Sequence, residues 1–360
     1  MIVYIITTLL VFIFATMASY IKITNNLEIN GYYSRNNRFF VLLTSLPLIL
    51  VGGFRWRVGT DYWQYSINYE YYVNNFWNSL FTFEEPGLKF IAWISSIIYD
   101  DYTTMFFIAS VITITLFVLT LSKYSKMFVF SILLFIFVGV WHGSFNGVKQ
   151  YLACAIVFAG HRYIINKNLI KYMIVVITAS MFHFSVVLMG LLYFVPRTRL
   201  NLKHIFILGL ATLAIVSSYG FIFELVENFR KSSLATTPYA LREVSIYRVL
   251  VAFAPLAIYF VFTKRFKLSS EELFYINLLF INAFVVLATS QSAYLARLAL
   301  YTNAFTIIAL PKLLNMNDKY LKFLLQMIII ILYGIFWYID VTKSSSLVNY
   351  QWIFDKDFNF

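Results

Sequence analysis

The sequence predicts an all-α, polytopic integral membrane protein of about twelve transmembrane helices plus one re-entrant or interfacial helix. Three observations predict it. Apolar residues make up 61% of the 360 positions and charged residues 12%, against about 45–50% and about 25% in soluble proteins. Mean hydropathy is +0.76, and so few charges cannot cover a water-facing surface, which excludes a soluble enzyme. The apolar residues fall in long continuous runs separated by short polar clusters. Runs of that kind read as spanning helices, whereas an outer-membrane barrel would alternate apolar and polar residues.

Spans are expected near 2–21, 39–54, 103–121, 127–142, 147–163, 169–182, 184–196, 204–220, 245–263, 272–290, 293–311 and 321–340. The first has no basic residue before it and reads as a retained helix rather than a cleaved signal. The stretch 169–196 is either a tight hairpin of two short helices or one long bent helix. Pro86 to Tyr99 is apolar but short, and reads as the re-entrant or interfacial segment. No internal repeat, low-complexity tract or linker divides the chain, so residues 1–360 read as a single transmembrane domain. Loops near 54–102 and 220–245 are expected to cover its site on the outer face.

The net charge of +12 is explained by topology rather than by nucleic acid. With the N-terminus outside, the inner loops hold Lys22, Arg35, Arg38, Lys123, Lys126, Arg162, Lys167, Lys171, Arg197, Arg199, Lys203, Lys264, Arg265, Lys267, Lys312, Lys319 and Lys322. These are 17 of the 28 cations, set against four of the 16 acids: Glu28, Glu271, Glu272 and Asp318. The excess fits the positive-inside rule and places both termini outside. The 27 tyrosines and 7 tryptophans partly fill interfacial belts.

The outer loop Gly53-Phe54-Arg55-Trp56-Arg57-Val58-Gly59-Thr60-Asp61-Tyr62-Trp63-Gln64-Tyr65 is rich in cations and aromatics. Guanidinium forks hold phosphate oxygens, aromatic faces hold sugar rings, and a carboxylate can act as a base. Snorkelling arginines and belt aromatics give the same composition without a site. Asn146-Gly147-Val148-Lys149-Gln150 opens a helix whose free amides, with Lys149, suit an anion; an interfacial lysine is the plainer explanation. His183 sits at the tip of the 169–196 hairpin, where an ionisable residue is a functional candidate or a neutral core histidine. Arg297, about one turn into a span, needs a polar cavity or a carboxylate, as do Arg248 and Arg242. His142 is a minor candidate, and His161 and His204 are expected to be solvated at inner helix ends. Cys154, the one cysteine, reads as a small core residue. Nucleotide, zinc-protease and serine-hydrolase motifs are missing, so no cofactor is expected.

These segments carry a resemblance. Arg55-Trp56-Arg57-Val58-Gly59-Thr60-Asp61-Tyr62 followed by Tyr65 resembles the RxxVGxDYxxY motif of the EpsG family, Wzy-like polymerases of capsule, O-antigen and exopolysaccharide pathways. Glu85-Pro86 resembles the family's EP pair, Lys149-Gln150-Tyr151-Leu152-Ala153 its RQxxA helix start, Phe182-His183-Phe184-Ser185 its FHxS tip, and Arg297-Leu298 with Tyr301 its late RxxxY feature. Lys149 stands where arginine is usual, which keeps the charge but loses the bidentate fork.

The resemblance implies an inverting, metal-independent, GT-C-like glycosyltransferase of the bacterial inner membrane. It would join undecaprenyl-pyrophosphate-linked oligosaccharide repeat units on the periplasmic or exterior face. The lipid bilayer is its surroundings, a chain-length regulator protein a further partner, and nucleic acid is not one. Arg55, Arg57, Lys149 and Arg297 would hold the leaving pyrophosphate, with Gln150 and Glu85 alongside. Asp61 or His183 would be the base, and Tyr62, Trp63 and Tyr65 would line the sugar path. Two other classes fit the composition: a lipid-linked oligosaccharide flippase, which must offer cations to both faces in turn, and a membrane acyltransferase acting on glycans, which needs a catalytic histidine.

Overall fold

A computed structural model of the chain describes residues 1–21, 23–25, 33–82, 84–222, 224, 243–263 and 267–356. The fold is nearly all helical and forms two compact units, Met1–Tyr193 with Gln326–Phe360 and Phe194–Leu325.

In the first unit, helix Ile2–Tyr20 packs on Arg38–Gly53, which packs on Tyr102–Tyr124. Val148–Gly160 lies against Tyr102–Tyr124 on one side and Leu169–Ser180 on the other. Local signals fix the helix starts. Asn37 accepts the Phe39 N–H at 3.0 Å and Asp101 accepts the Thr103 N–H at 2.8 Å, each satisfying an otherwise orphaned donor. Between the second and third of these helices, the expected outer loop is itself helical. It folds as Tyr62–Ile67, Tyr69–Asn74, Phe76–Thr82 and Pro86–Ile98. The last has 13 residues, a rise of about 20 Å, which falls short of a bilayer core.

The 169–196 stretch resolves into the hairpin. Leu169–Ser180 is an α-helix and Phe184–Phe194 a 3₁₀ helix, with the Tyr172 hydroxyl donating to Met189 O at 2.7 Å across the pair. His183 falls in the turn between them, as the sequence suggests.

Among the described residues, four helices are long and apolar enough to cross a membrane: Ile2–Tyr20, Tyr102–Tyr124, Ser270–Ala288 and Lys319–Lys343. The pair Phe128–Phe137 and Val140–Asn146, bent by 41°, could make a fifth. Other expected spans are shorter than hydropathy suggests: Arg38–Gly53 and Leu202–Ser217 have 16 residues each, Val148–Gly160 and Ile246–Ile258 have 13. The expected span 293–311 is broken into Leu295–Leu298, Ala299–Ala304 and Thr306–Leu313. Hydropathy merges these pieces because it sums side chains and does not register interruptions of the backbone hydrogen-bond ladder.

The second unit is built on Ser270–Ala288, against which Leu202–Ser217, Ile246–Ile258, Ala299–Ala304 and Thr306–Leu313 pack. A capping box between Ser269 and Glu272 starts the central helix. Its buried amides are satisfied: Asn277 donates to Pro196 O at 2.7 Å and Thr198 O at 2.9 Å, and Asn282 accepts from the Thr302 hydroxyl at 2.9 Å.

Two short antiparallel ladders complete the described fold, Ile23–Asn25 with Tyr33–Arg35 and Arg55–Trp56 with Gln351–Trp352. In the second, Trp56 faces Gln351. Opposed residues of an antiparallel pair have Cα atoms about 4.5–5.5 Å apart, within the range a disulfide spans. Trp56→Cys with Gln351→Cys should therefore cross-link within one chain on mild oxidation, read as a shift on a non-reducing gel. Cys154 is buried and does not compete. A double variant that stays reduced would show that this pairing does not form.

Candidate functional site

The loop after Gly53 is organised by one buried cation. Arg55 is 2% exposed. Its Nε donates to Val58 O at 3.2 Å, one Nη donates to Phe145 O at 3.3 Å and the other to Gly52 O. The guanidinium also lies over the Phe106 and Phe145 rings, 4.6 and 5.2 Å from their centroids. Burial pushes its pKa down to about 10, opposed by Tyr62, Tyr350, Tyr4 and Tyr65, so it stays charged at neutral pH. Arg55 was expected to hold pyrophosphate; the structure instead places it among backbone carbonyls, where it ties the loop to the end of the Val140–Asn146 helix.

Gly59 lets the loop seat there. Its φ is +111°, and a Cβ would meet Phe145 O at 2.5 Å. The next residue, Thr60, donates its N–H to Asn146 Oδ1 at 2.7 Å. Asp61 thus follows directly on a residue pinned three positions before Lys149. From the other side, a segment that sequence reasoning missed crosses the loop. Beyond the strand pair, Gly59 N–H donates to Ser346 O at 3.0 Å, Ile353 N–H to Phe54 O at 2.8 Å, and the Tyr350 hydroxyl to Val51 O at 2.8 Å. Lys356 pairs with Asp101. The run Tyr350-Gln351-Trp352-Ile353-Phe354, a short strand-like aromatic stretch after the last span, was the available signal.

The loop sorts its aromatics. Tyr62 stacks on Phe106 at 4.8 Å and is buried with Tyr65 and Tyr69 among Leu88, Ile91 and Met105. Two of the three aromatics expected along a sugar path therefore build the core instead. Trp63 is half exposed, and the exposed Arg57 lies over the rings of Trp56 and Trp63. Arg57 has φ +56°, in the left-handed region that non-glycine residues seldom adopt.

The second focus is Glu85. Its Oε2 accepts from Lys149 Nζ at 2.6 Å, and its Oε1 accepts from the Phe184 N–H at 3.1 Å. His183 Nδ1 lies 2.8 Å from the same Oε1, close enough for an ion pair though not aligned as a hydrogen bond. On the other side of the ring, His183 Nε2 and Gln150 Nε2 are 3.1 Å apart. Burial alone would push the Glu85 carboxyl up; His183 and the Lys149 charge outweigh it and hold it well below the usual carboxylate range. Glu85 itself has φ +48° at the start of Pro86–Ile98. Gly87 follows, where a Cβ would meet the Phe182 ring at 2.6 Å, and its N–H donates to Met181 O at 2.8 Å. The hairpin tip is thus docked directly on Glu85-Pro86-Gly87. Four segments far apart in sequence, at 55–65, 85–87, 146–150 and 181–184, are joined by these bonds.

The EpsG family model matches residues 38–352, most of the chain. The chain belongs to the EpsG family. No curated protein and no solved structure matches it. The match takes in the Gln351–Trp352 strand as well as the four segments above.

The remaining candidates of this EpsG-family chain lie elsewhere. Arg297 belongs to the second unit, half-buried in the Leu295–Leu298 turn with its N–H on Tyr294 O at 3.3 Å. Arg248 is exposed in the first turn of Ile246–Ile258, and Arg242 lies outside the described residues. The same is true of most of the 220–245 loop expected over the site. His142 is buried and accepts from Trp337 Nε1 at 3.1 Å, which ties two helices together. His161, expected to be solvated, is fully buried against Tyr124, at 4.9 Å between ring centroids, because its helix end is packed rather than frayed. His204 completes a capping box with Asn201. The sequence also carries one Asp-x-Asp spacing, Asp355 to Asp357. Asp355 Oδ2 accepts from Trp352 N–H at 3.0 Å, and Asp357 lies outside the described residues.

Arg55 and Arg57 should separate in a melting experiment. Arg55→Ala leaves three carbonyls without their donor and should cost about 3 kcal/mol or more, lowering the melting temperature of the detergent-solubilised protein. Arg57→Ala removes an exposed side chain and should melt with wild type. Equal melting of the two variants would remove Arg55 from its structural role.

Proposed function

We propose that the protein is a polysaccharide polymerase. It joins undecaprenyl-pyrophosphate-linked oligosaccharide repeat units on the outer face of the inner membrane, as an inverting, GT-C-like glycosyltransferase. Family membership supports the class of reaction. The observation that carries the chemistry is the meeting of Glu85, Lys149, Gln150 and His183 beside the loop that presents Arg57, Asp61 and Trp63. In this reading the shorter apolar helices complete the roughly twelve membrane passes.

A hydroxyl of the incoming repeat unit attacks the anomeric carbon of the growing chain, and undecaprenyl pyrophosphate leaves. Charge then develops on the leaving diphosphate, and one well-placed donor is worth about 3–4 kcal/mol. Arg57 and Lys149 take that role, whereas Arg55 keeps the loop in shape; Arg297, in the second unit, is a separate candidate. The Glu85 charge is matched to Lys149 at 2.6 Å, so Arg57 is the stronger anchor for an incoming diphosphate. The face of Trp63 offers a platform for a sugar ring. Asp61, next to the pinned Thr60, orients the attacking hydroxyl or accepts its proton.

In a strain carrying Arg57→Ala or Arg297→Ala as its only copy, long chains should disappear while single repeat units still reach the surface. Normal chain length in Arg297→Ala would remove that residue from the site. Loss of single units as well would favour the flippase, and intact chains lacking a substituent would favour the acyltransferase. A cysteine at Thr60 should react with an impermeant thiol reagent added outside, and one at Ser269 should not. The opposite pattern would place the site on the inner face.

A further inference from the structure

We infer that Glu85 is the positioning residue of His183: it holds the ring with its proton on Nδ1, so that Nε2 is the group that takes the proton from the attacking hydroxyl. The inference rests on the polymerase reading above and decides the base that it leaves open.

The geometry restricts the ring from both sides. Nδ1 faces the Glu85 carboxylate at 2.8 Å, and a carboxylate only accepts. Nε2 faces the Gln150 amide nitrogen at 3.1 Å, and that nitrogen only donates. One neutral form satisfies both neighbours, with the proton on Nδ1 and the lone pair on Nε2. The Gln150 N–H occupies the place where a substrate O–H would donate, so an acceptor sugar needs only to displace one neutral amide contact. Glu85 cannot drift, because the Phe184 N–H and Lys149 Nζ hold its two oxygens and Pro86 follows it. His183 cannot drift either, because Phe182, next to it, fills the space over Gly87.

From Tyr69–Asn74, Tyr72 faces Glu85, and burial together with that carboxylate pushes its hydroxyl up to about 12, so it stays neutral. From Val148–Gly160, Lys149 faces the oxygen that His183 does not use. Glu85 itself is the only acid at the ring among the groups described here.

The step balances without a further reactant. The sugar O–H proton passes to His183 Nε2 as the oxygen forms its bond to the anomeric carbon. The bond from that carbon to the diphosphate oxygen breaks, and the diphosphate leaves with the electron pair. The imidazolium, stabilised by Glu85, then returns its proton to solvent. Asp61 is left to orient the hydroxyl.

The chain has four histidines, so ¹⁵N-histidine NMR of the purified full-length protein in detergent can assign His183 by comparison with His183→Gln. The wild-type ring should show the Nδ1–H form, and Glu85→Leu, which takes away the acceptor facing Nδ1, should convert it at least partly to Nε2–H, whereas Glu85→Gln keeps an oxygen there and should leave the tautomer in place. The glutamine keeps an oxygen for the Phe184 N–H but loses the charge that Lys149 faces, so the comparison is made below the variant's own melting temperature. With a defined lipid-linked repeat unit, Glu85→Gln should lose about 10²-fold in kcat with KM within a few-fold, since a general base is worth roughly 10²–10⁴-fold. Glu85→Asp should restore part of kcat. An Nε2–H ring in the wild type, or an unchanged kcat in Glu85→Gln, would overturn the inference. A wild type that polymerises no repeat units would overturn the polymerase reading and the base role with it, while the NMR result would still decide the positioning.

Discussion

The arrangement depends first on a cation that never reaches solvent. Burying a guanidinium is costly, and the cost is offset only where hydrogen bonds and ring faces replace water. Arg55 finds them in three carbonyls and two aromatic rings. Those carbonyls come from the end of one helix, the loop itself and the end of another, so satisfying Arg55 sets the path of residues 52–58. Everything exposed on that loop inherits its placement: the left-handed turn at Arg57, the seat of Gly59 under Phe145, and the bond from Thr60 to Asn146. A neutral side chain at position 55 would leave the carbonyls without donors, and a lysine could reach only one or two of them.

Glu85 is the counterpart of Arg55 with the sign reversed. It accepts from one lysine and one backbone amide, has one ring nitrogen at 2.8 Å, and lies at a helix start in a strained conformation. Strain of this kind persists where the surroundings over-determine it. Here the surroundings are Pro86, Gly87 and the hairpin tip. The two charged residues thus divide the work. Arg55 shapes a loop that then presents other groups, and Glu85 stays partly accessible and acts on its neighbours directly.

Much of this was legible in the sequence, and the failures have physical causes. The hairpin with His183 at its tip, the helix start at Val148 and the short Pro86–Ile98 segment follow from local patterning and stand as expected. The length of the spans does not, because breaks such as those near Gly139 and between Ala304 and Thr306 leave hydropathy unchanged. Residue type identified Arg55, Tyr62 and Tyr65 as notable but misjudged which way they face. An arginine in an outer loop looks the same in sequence whether it points to solvent or to three carbonyls. Glu85 was grouped with the pyrophosphate ligands, although a carboxylate is a poor partner for pyrophosphate and a good one for imidazole, and the structure sets it beside the His183 ring. The strap from Ser346 to Lys356 was missed because the bonds that hold it to the loop and to Asp101 span roughly 250–300 positions, and no local pattern encodes that.

That strap ties the order of synthesis to the onset of activity. The Tyr350 hydroxyl reaches Val51 across 299 positions, and loop closure over such a separation comes late in folding. The loop at 55–61 therefore emerges, enters the bilayer and waits, with its ladder edge unpaired, until almost all of the described chain has followed. A nascent or truncated copy would carry every candidate side chain of the first unit up to His183 and still lack the strand that fixes two of them in place. The loop therefore reaches its final form only when the far end of the described chain is in place.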